Sequence, residues 1–272
     1  MNRYVPLWFW LAAGVLFFLA SHTLAGEGTN AAPDDFTARL TLARVLSYTN
    51  QTDQLAQSAK EYQTLITARP DNLTVRAEAA DVLMRLKRYD EALQQWNIVL
   101  AKVPDHPGAQ LAVARILLWT RHYDEAITRL LALKAQQPAA ADVLLELAHA
   151  YAWSGRFEQA LAAYRDLIGK TPQANPNLLM EFGDACLYAG RLNDAAAQYR
   201  LAGQAGAAGA VIQKKLGLVL SWLKQDAEAL PLLQAAHAAS PDDREAALEL
   251  ALLYLRHGKH TQGNDLLQAL AV

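Results

Sequence analysis

Between residues 73 and 106 the small and apolar positions follow a helical period twice in succession. Arg76, Ala79, Ala80 and Leu83 stand at i, i+3, i+4 and i+7. Ala92, Trp96, Val99 and Leu100 stand at i, i+4, i+7 and i+8. Each set marks one face of an α-helix, and the short gap between them predicts an antiparallel pair. Ala80 and Ala92 fall where the two helices cross, and side chains that small let the backbones approach.

The same pattern recurs along the chain. Pro70, Pro104, Pro138 and Pro172 stand at one even interval, and Pro241 follows at just over twice that interval. The slot of Ala92 is refilled by Ala126, Ala160, Ala195, Ala229 and Gly263, and the slot of Ala80 by Ala114, Ala148, Gly183, Gly217 and Ala251. Gly155, Gly190 and Gly258 occupy the inter-helix turn, as a left-handed C-cap prefers. Proline closes the second helix in most units. The strings PDNL, PDHP, ANPN and SPDD supply the cap and first position of the next one.

A repeat of about 34 residues, with small, small, aromatic and proline positions in register, resembles the tetratricopeptide repeat family. The resemblance covers six units, 73–106, 107–140, 141–174, 176–209, 210–243 and 244–272. A degenerate seventh precedes them at 36–72, with Ser58 in the alanine slot and an inter-helix turn, YTNQTDQ, that is too long. What the resemblance implies is an all-α, right-handed α-solenoid of antiparallel helix pairs, about seven units, with a concave inner face. In such arrays no unit buries its core alone.

Composition narrows the function. The 272-residue chain is 53% hydrophobic, 19% charged and carries a net charge of −2, which excludes bulk disorder and argues against nucleic-acid binding. Cys186 is the single cysteine, so neither an intrachain disulfide nor a cysteine metal cage can form. Arg3, the apolar run Val5–Ala20 and the small residues Thr23 and Ala25 read as a secretory signal peptide over residues 1–25, with an uncleaved membrane anchor as the alternative. Residues 26–35 read as a flexible lead-in. The expectation is an exported, periplasmic protein, or one anchored in the inner membrane with its repeats on the periplasmic side.

Candidate chemistry is thin. Asp90–Glu91 and Asp124–Glu125 resemble acid–base pairs, but in register they fall in the first turn of a second helix, where carboxylates offset the helix dipole. His257 and His260 flank a helix-breaking glycine and lack a third ligand. The glycines of Gly203–Val211 follow no strand, so they are a loosened repeat junction, with Ala207 in the proline slot, and not a dinucleotide loop. The chain is therefore read as non-enzymatic, with no cofactor and no metal.

One feature exceeds a plain scaffold. The residue just before the inter-helix turn is Arg85, Trp119, Trp153, Tyr188, Trp222 and Arg256 in successive units. In the family this slot, and the positions one, four, eight and eleven before it, face the concave groove. Here those neighbours include Leu111, Leu118, Leu145, His149, Met180, Asp184, Leu187, Lys214 and Ser221. Two readings stay open: the rings pack across to the adjacent unit as core, the preferred one because stacking produces such a stripe, or they line a groove that grips an apolar peptide or stacks on sugars. The family's clamp for C-terminal carboxylates is missing. Its slots hold Ala77, Leu111, Leu145, Met180 and Leu248, with Lys214 the one lysine, and Asp81, Arg115, His149, Asp184, Leu218 and Leu252.

Leu266, Leu267 and Leu270 lie in the last helix and are expected to dock on a partner or on a second copy. The stretch YAWSGRFEQALAAYRDLI (Tyr151–Ile168) is similar to repeat units of bacterial envelope proteins of exopolysaccharide synthesis and export. The resulting expectation is an exported scaffold for envelope protein partners, with a polysaccharide-binding module as the alternative.

Overall fold

The computed structural model describes residues 35–171, 175–207 and 209–271. Residues 1–25, read as a signal peptide or anchor, all but the last residue of the expected lead-in, and Pro172 lie outside the described residues. Among the described residues there are fourteen helices and no strand: α1 Asp35–Ser47, α2 Thr52–Ala68, α3 Leu73–Arg85, α4 Tyr89–Lys102, α5 Pro107–Trp119, α6 Tyr123–Gln136, α7 Ala141–Trp153, α8 Phe157–Lys170, α9 Pro176–Tyr188, α10 Leu192–Gln204, α11 Ala210–Trp222, α12 Asp226–Ala239, α13 Arg244–Arg256 and α14 His260–Leu270. The chain divides into one body up to Val75 and another from Arg76.

In the first body α1 and α2 form one helix pair. Its small slots, Ala43 and Ser58, are fully buried, and the Ser58 hydroxyl donates to the Ala43 carbonyl at 2.7 Å. The bond satisfies a polar group that burial would otherwise penalise. The turn is shorter than the sequence suggests. Four residues separate α1 from α2, because Thr52, Asp53 and Gln54 join α2 as an extra helical turn.

In the second body every helix pair is joined by three residues. The paired slots Ala80/Ala92, Ala114/Ala126 and Ala148/Ala160 are all fully buried, as are Ala195, Ala229 and Ala251. Where glycine replaces alanine the approach is closer still. A Cβ on Gly183 would sit 2.4 Å from Cε1 of Tyr199, and one on Gly217 2.8 Å from Cγ of Leu233.

The turn has one geometry throughout. Gly155, Gly190 and Gly258 have φ of 75°, 73° and 72°, and Lys87, Arg121 and Lys224 hold the same left-handed slot at 59°, 65° and 61°. Each makes the paired bonds of a Schellman cap, for example Arg156 N–H to Tyr151 O at 2.8 Å and Gly155 N–H to Ala152 O at 3.1 Å. At the helix starts, Asn175 and Asp243 accept from Asn177 N–H and Ala246 N–H at 2.8 and 3.1 Å. In PDHP the cap is the His106 imidazole, which accepts from Ala109 N–H at 3.1 Å. Asp105 is one residue too early for the role.

Candidate functional site

The aromatic slot is the last residue of each first helix. Its side chain leaves the helix beside the left-handed turn, where the neighbouring pair does not fully cover it. Trp119, Trp153, Tyr188 and Trp222 are 43%, 48%, 71% and 40% exposed. The preferred reading of these rings as inter-unit core is therefore incorrect. Three of the four have one ring neighbour each. Trp119 lies 5.5 Å from Tyr89, and Tyr188 lies 6.4 Å from Phe157 with its plane tilted by 20°. Tyr89 and Phe157 are the first residues of the preceding unit's second helix. Arg256 repeats the relation in ionic form, bonded to Asp226 at 2.7 and 3.1 Å. Trp153 stacks on His149 at 5.2 Å and 8°. Arg85 is exposed at the end of α3.

The neighbouring slots divide. Leu118 and Ser221, one residue before the ring, are buried, and so is Leu111. One residue is about 100° of helix rotation, which turns that position away from the groove and into the pair. Leu145, Met180 and Leu187 are half-buried on the edge of the core.

Consecutive rings flank consecutive cavities. One of about 540 Å³ lies between Trp153 and Tyr188 and is lined also by His149, Phe157, Tyr164, Glu181 and Asp184. The next, of about 340 Å³, lies between Tyr188 and Trp222 with Leu187, Val211, Lys214, Lys215, Asp243 and Glu245. Asp184 and Tyr188 belong to both.

The charges of this face are paired within it. The residue four before the ring in one unit meets the residue seven before the ring in the next. Arg115 donates to Glu146 at 2.7 Å, His149 meets Glu181 at 3.0 Å, and Lys215 donates to Asp184 at 2.6 Å. Tyr199 also donates to Asp184, at 2.6 Å. Burial alone would lower the His149 pKa, but hydrogen bonds to Glu146 and Glu181 outweigh it and raise it to about 9, so the imidazole is charged at neutral pH. Burial would raise Glu146, yet its bonds with His149 and Arg115 leave it below the usual range. Burial, and then the bond to Asp184, push the Tyr199 phenol up. Lys214 is held by Asp243 at 2.7 Å and Glu245 at 2.8 Å. The one lysine in the clamp slots is thus already occupied. Reading the sequence missed this ladder, although opposite charges spaced a little under one repeat apart were there to find.

The remaining candidates fall elsewhere. Asp90 and Glu91 lie in the first turn of α4, and Asp124 and Glu125 in that of α6. Asp124 also pairs with Arg156 of the next unit, as Glu158 does with Arg191 at 2.7 Å. They serve helix dipoles and inter-unit ties. His257 lies 3.1 Å from Asp226, and no three His, Cys, Asp or Glu side chains are placed to hold a metal ion among the described residues. Cys186 is buried, and burial pushes its thiol up to about 11. Gly206 and Gly209 take positive φ at the α10–α11 junction. At the far end Leu266, expected with Leu267 and Leu270 to dock on a partner, packs against the core, and Leu267 and Leu270 are half-buried. Leu248 and Leu252 are the exposed leucines there, at 45% and 39%, whereas Leu218, in the register of Leu252, is 6% exposed.

Comparison with known proteins agrees with this architecture. A structure of the C-terminal part of a TPR repeat-containing protein from Cytophaga hutchinsonii aligns with a TM-score of 0.68 at 14% identity, covering 85% of this chain and 93% of that one. A tetratricopeptide repeat protein from Parabacteroides merdae aligns with a TM-score of 0.62 at 15% identity, over 90% and 95%. YrrB, described as a TPR protein with an unusual peptide-binding site, aligns with a TM-score of 0.56 at 12% identity, over 64% and 90%. Sequence comparison with curated proteins gives no match. The profile of the tetratricopeptide repeat matches residues 40–107, 78–141 and 111–175, together half of the chain. With the helix pairs, the αL turns and the small-residue crossings all in its register, the chain belongs to the tetratricopeptide repeat family.

Proposed function

We propose that the protein is a non-enzymatic adaptor whose ring-lined groove seats an uncharged, apolar stretch of a partner protein. The observation that carries this reading is the division of labour on the groove face. Its charges are spent on one another, from Arg115 to Lys215, while four rings keep open area and three of them, Trp153, Tyr188 and Trp222, flank cavities of 340–540 Å³. A paired charge offers a ligand little, because breaking the pair costs what the new bond returns. Aromatic area without a partner is what recognises apolar side chains. The apolar run Val5–Ala20, read as part of an export signal or a membrane anchor, and the similarity of Tyr151–Ile168 to envelope repeat proteins support an adaptor in a bacterial envelope complex for exopolysaccharide synthesis or export. Affinity capture from envelope extract tests it. Trp153→Ala and Trp222→Ala should lose the captured partner while helix content is kept. Capture unchanged in both variants refutes the groove.

A second reading rests on a specific feature, the carboxylates Glu181 and Asp184 in the wall beside half-open rings. Rings stack on sugars, and the carboxylate lone pairs that Glu181 and Asp184 do not spend on His149, Lys215 and Tyr199 accept from hydroxyls, so a neutral polysaccharide fits the same face. Titration with neutral oligosaccharides, followed by tryptophan fluorescence, separates the two. Quenching that vanishes in Trp153→Ala supports the sugar, and a flat titration removes it.

A further inference from the structure

The back of the array carries a second concavity that the groove does not use. It lies between α8 and α10, second helices of successive units, and has a volume of about 780 Å³. Leu179 and Phe182 of α9, both buried, form its floor, and Ile168 and Leu201 form its walls. Arg165, Gln198 and Gln204 stand at its rim.

The repeat supplies an internal control. The equivalent cleft between α4 and α6 has a volume of about 280 Å³ and is lined by Leu100, Gln110, Arg129, Ala132 and Gln136. In repeat register these five correspond to Ile168, Leu179, Gln198, Leu201 and Ala205. A polar floor residue, Gln110, has become Leu179. A small wall residue, Ala132, has become Leu201, which is 46% exposed. The cation of the earlier cleft, Arg129, is tied to Glu125 at 3.0 Å. At the later cleft Arg165, Gln198 and Gln204 have no side-chain hydrogen-bond or ion-pair partner among the described residues. The chemistry is therefore the reverse of the ring-lined groove, where Arg115, Lys214, Lys215 and Arg256 are all paired.

We propose that this cleft is a docking surface for a short acidic amphipathic helix of a partner protein, with apolar side chains on Leu201 and Ile168 and a carboxylate on Arg165. Two features select that occupant. The free guanidinium of Arg165 attracts an anion and repels a cation, and the two glutamine amides can donate to the same anion. The cleft runs between two helices, the setting in which a third helix packs its ridge. The stretch of α10 from Gln198 to Gln204 spans roughly 10 Å at about 1.5 Å per residue. That length takes two apolar anchors three or four positions apart, with an acidic residue one turn away.

A phage-displayed library of amphipathic helical peptides, panned on the full chain, gives the test. Selected peptides should carry the two anchors and the acid. By fluorescence anisotropy, Leu201→Asp and Arg165→Glu should each weaken them by about tenfold or more. Replacing the peptide's acid with lysine should restore binding to Arg165→Glu, a gain that a damaged fold cannot produce. Trp153→Ala should leave this binding unchanged, which keeps the result independent of the groove. The proposal is overturned if no peptide depends on Leu201 and Arg165, if the selected peptides lack the acid, or if the lysine exchange restores nothing. Sedimentation showing a dimer that Leu201→Asp dissolves would also overturn it, assigning the cleft to a second copy.

Discussion

Truncating Trp153 distinguishes a groove ring from a core ring, and Trp96 is its natural control. Both are tryptophans of the repeat, but Trp96 is 4% exposed and Trp153 is 48% exposed. Trp96→Ala removes a closed-in side chain and leaves a cavity, at a cost of about 3–5 kcal/mol. Trp153→Ala removes a ring whose other half is already in water, so no closed cavity forms. Half of the ~1.5–3 kcal/mol for burying a large apolar side chain, plus about 0.5–1 kcal/mol for the stack on His149, gives roughly 1.5–2.5 kcal/mol. Guanidinium denaturation followed by far-UV circular dichroism measures both. If Trp153→Ala costs as much as Trp96→Ala, the ring is core and the groove loses its principal residue.

Other outcomes follow from single contacts. Lys224→Gly should stabilise the fold by about 0.5–1 kcal/mol, since the ~1–2 kcal/mol of a non-glycine residue in the left-handed slot exceeds the backbone entropy that glycine adds; a loss in melting temperature would refute the shared turn geometry. Gly183→Ala should cost about 1–3 kcal/mol, because the Tyr199 ring it would strike is itself fully buried and bonded to Asp184; an unchanged midpoint would mean that the ring can retreat. His149 has its folded pKa raised to about 9 above an unfolded value near 6.5. Its contribution is thus fully present below pH 6.5 and lost as pH rises through about 9, on the order of 1–3 kcal/mol. Against pH, wild-type stability should fall over that window relative to His149→Gln, and parallel curves would refute the bridge to Glu146 and Glu181.

Much of this molecule is written in its sequence, because a repeat reports each rule several times. The even proline spacing, the Ala80/Ala92 crossings and the turn glycines follow from helix period, close backbone approach and left-handed φ, all properties of neighbouring residues. The same local logic correctly moved Asp90 and Glu91 from chemistry to the helix dipole. Local logic failed where burial was decided by another unit. Trp119 and Leu118 are adjacent in the chain, yet one is 43% exposed and the other 1%: helix rotation puts them on different faces, and packing decides which face is covered. Pairing of Arg115 with Glu146 or His149 with Glu181 depends on which faces stacking brings together, so the groove's charge neutrality emerges only in three dimensions. The sequence determined the unit and its period, since those are set within a single repeat by hydrogen bonds and side-chain size. The tertiary structure decided which aromatic and charged side chains remain open to a partner, since that depends on surface one unit removes from water for another.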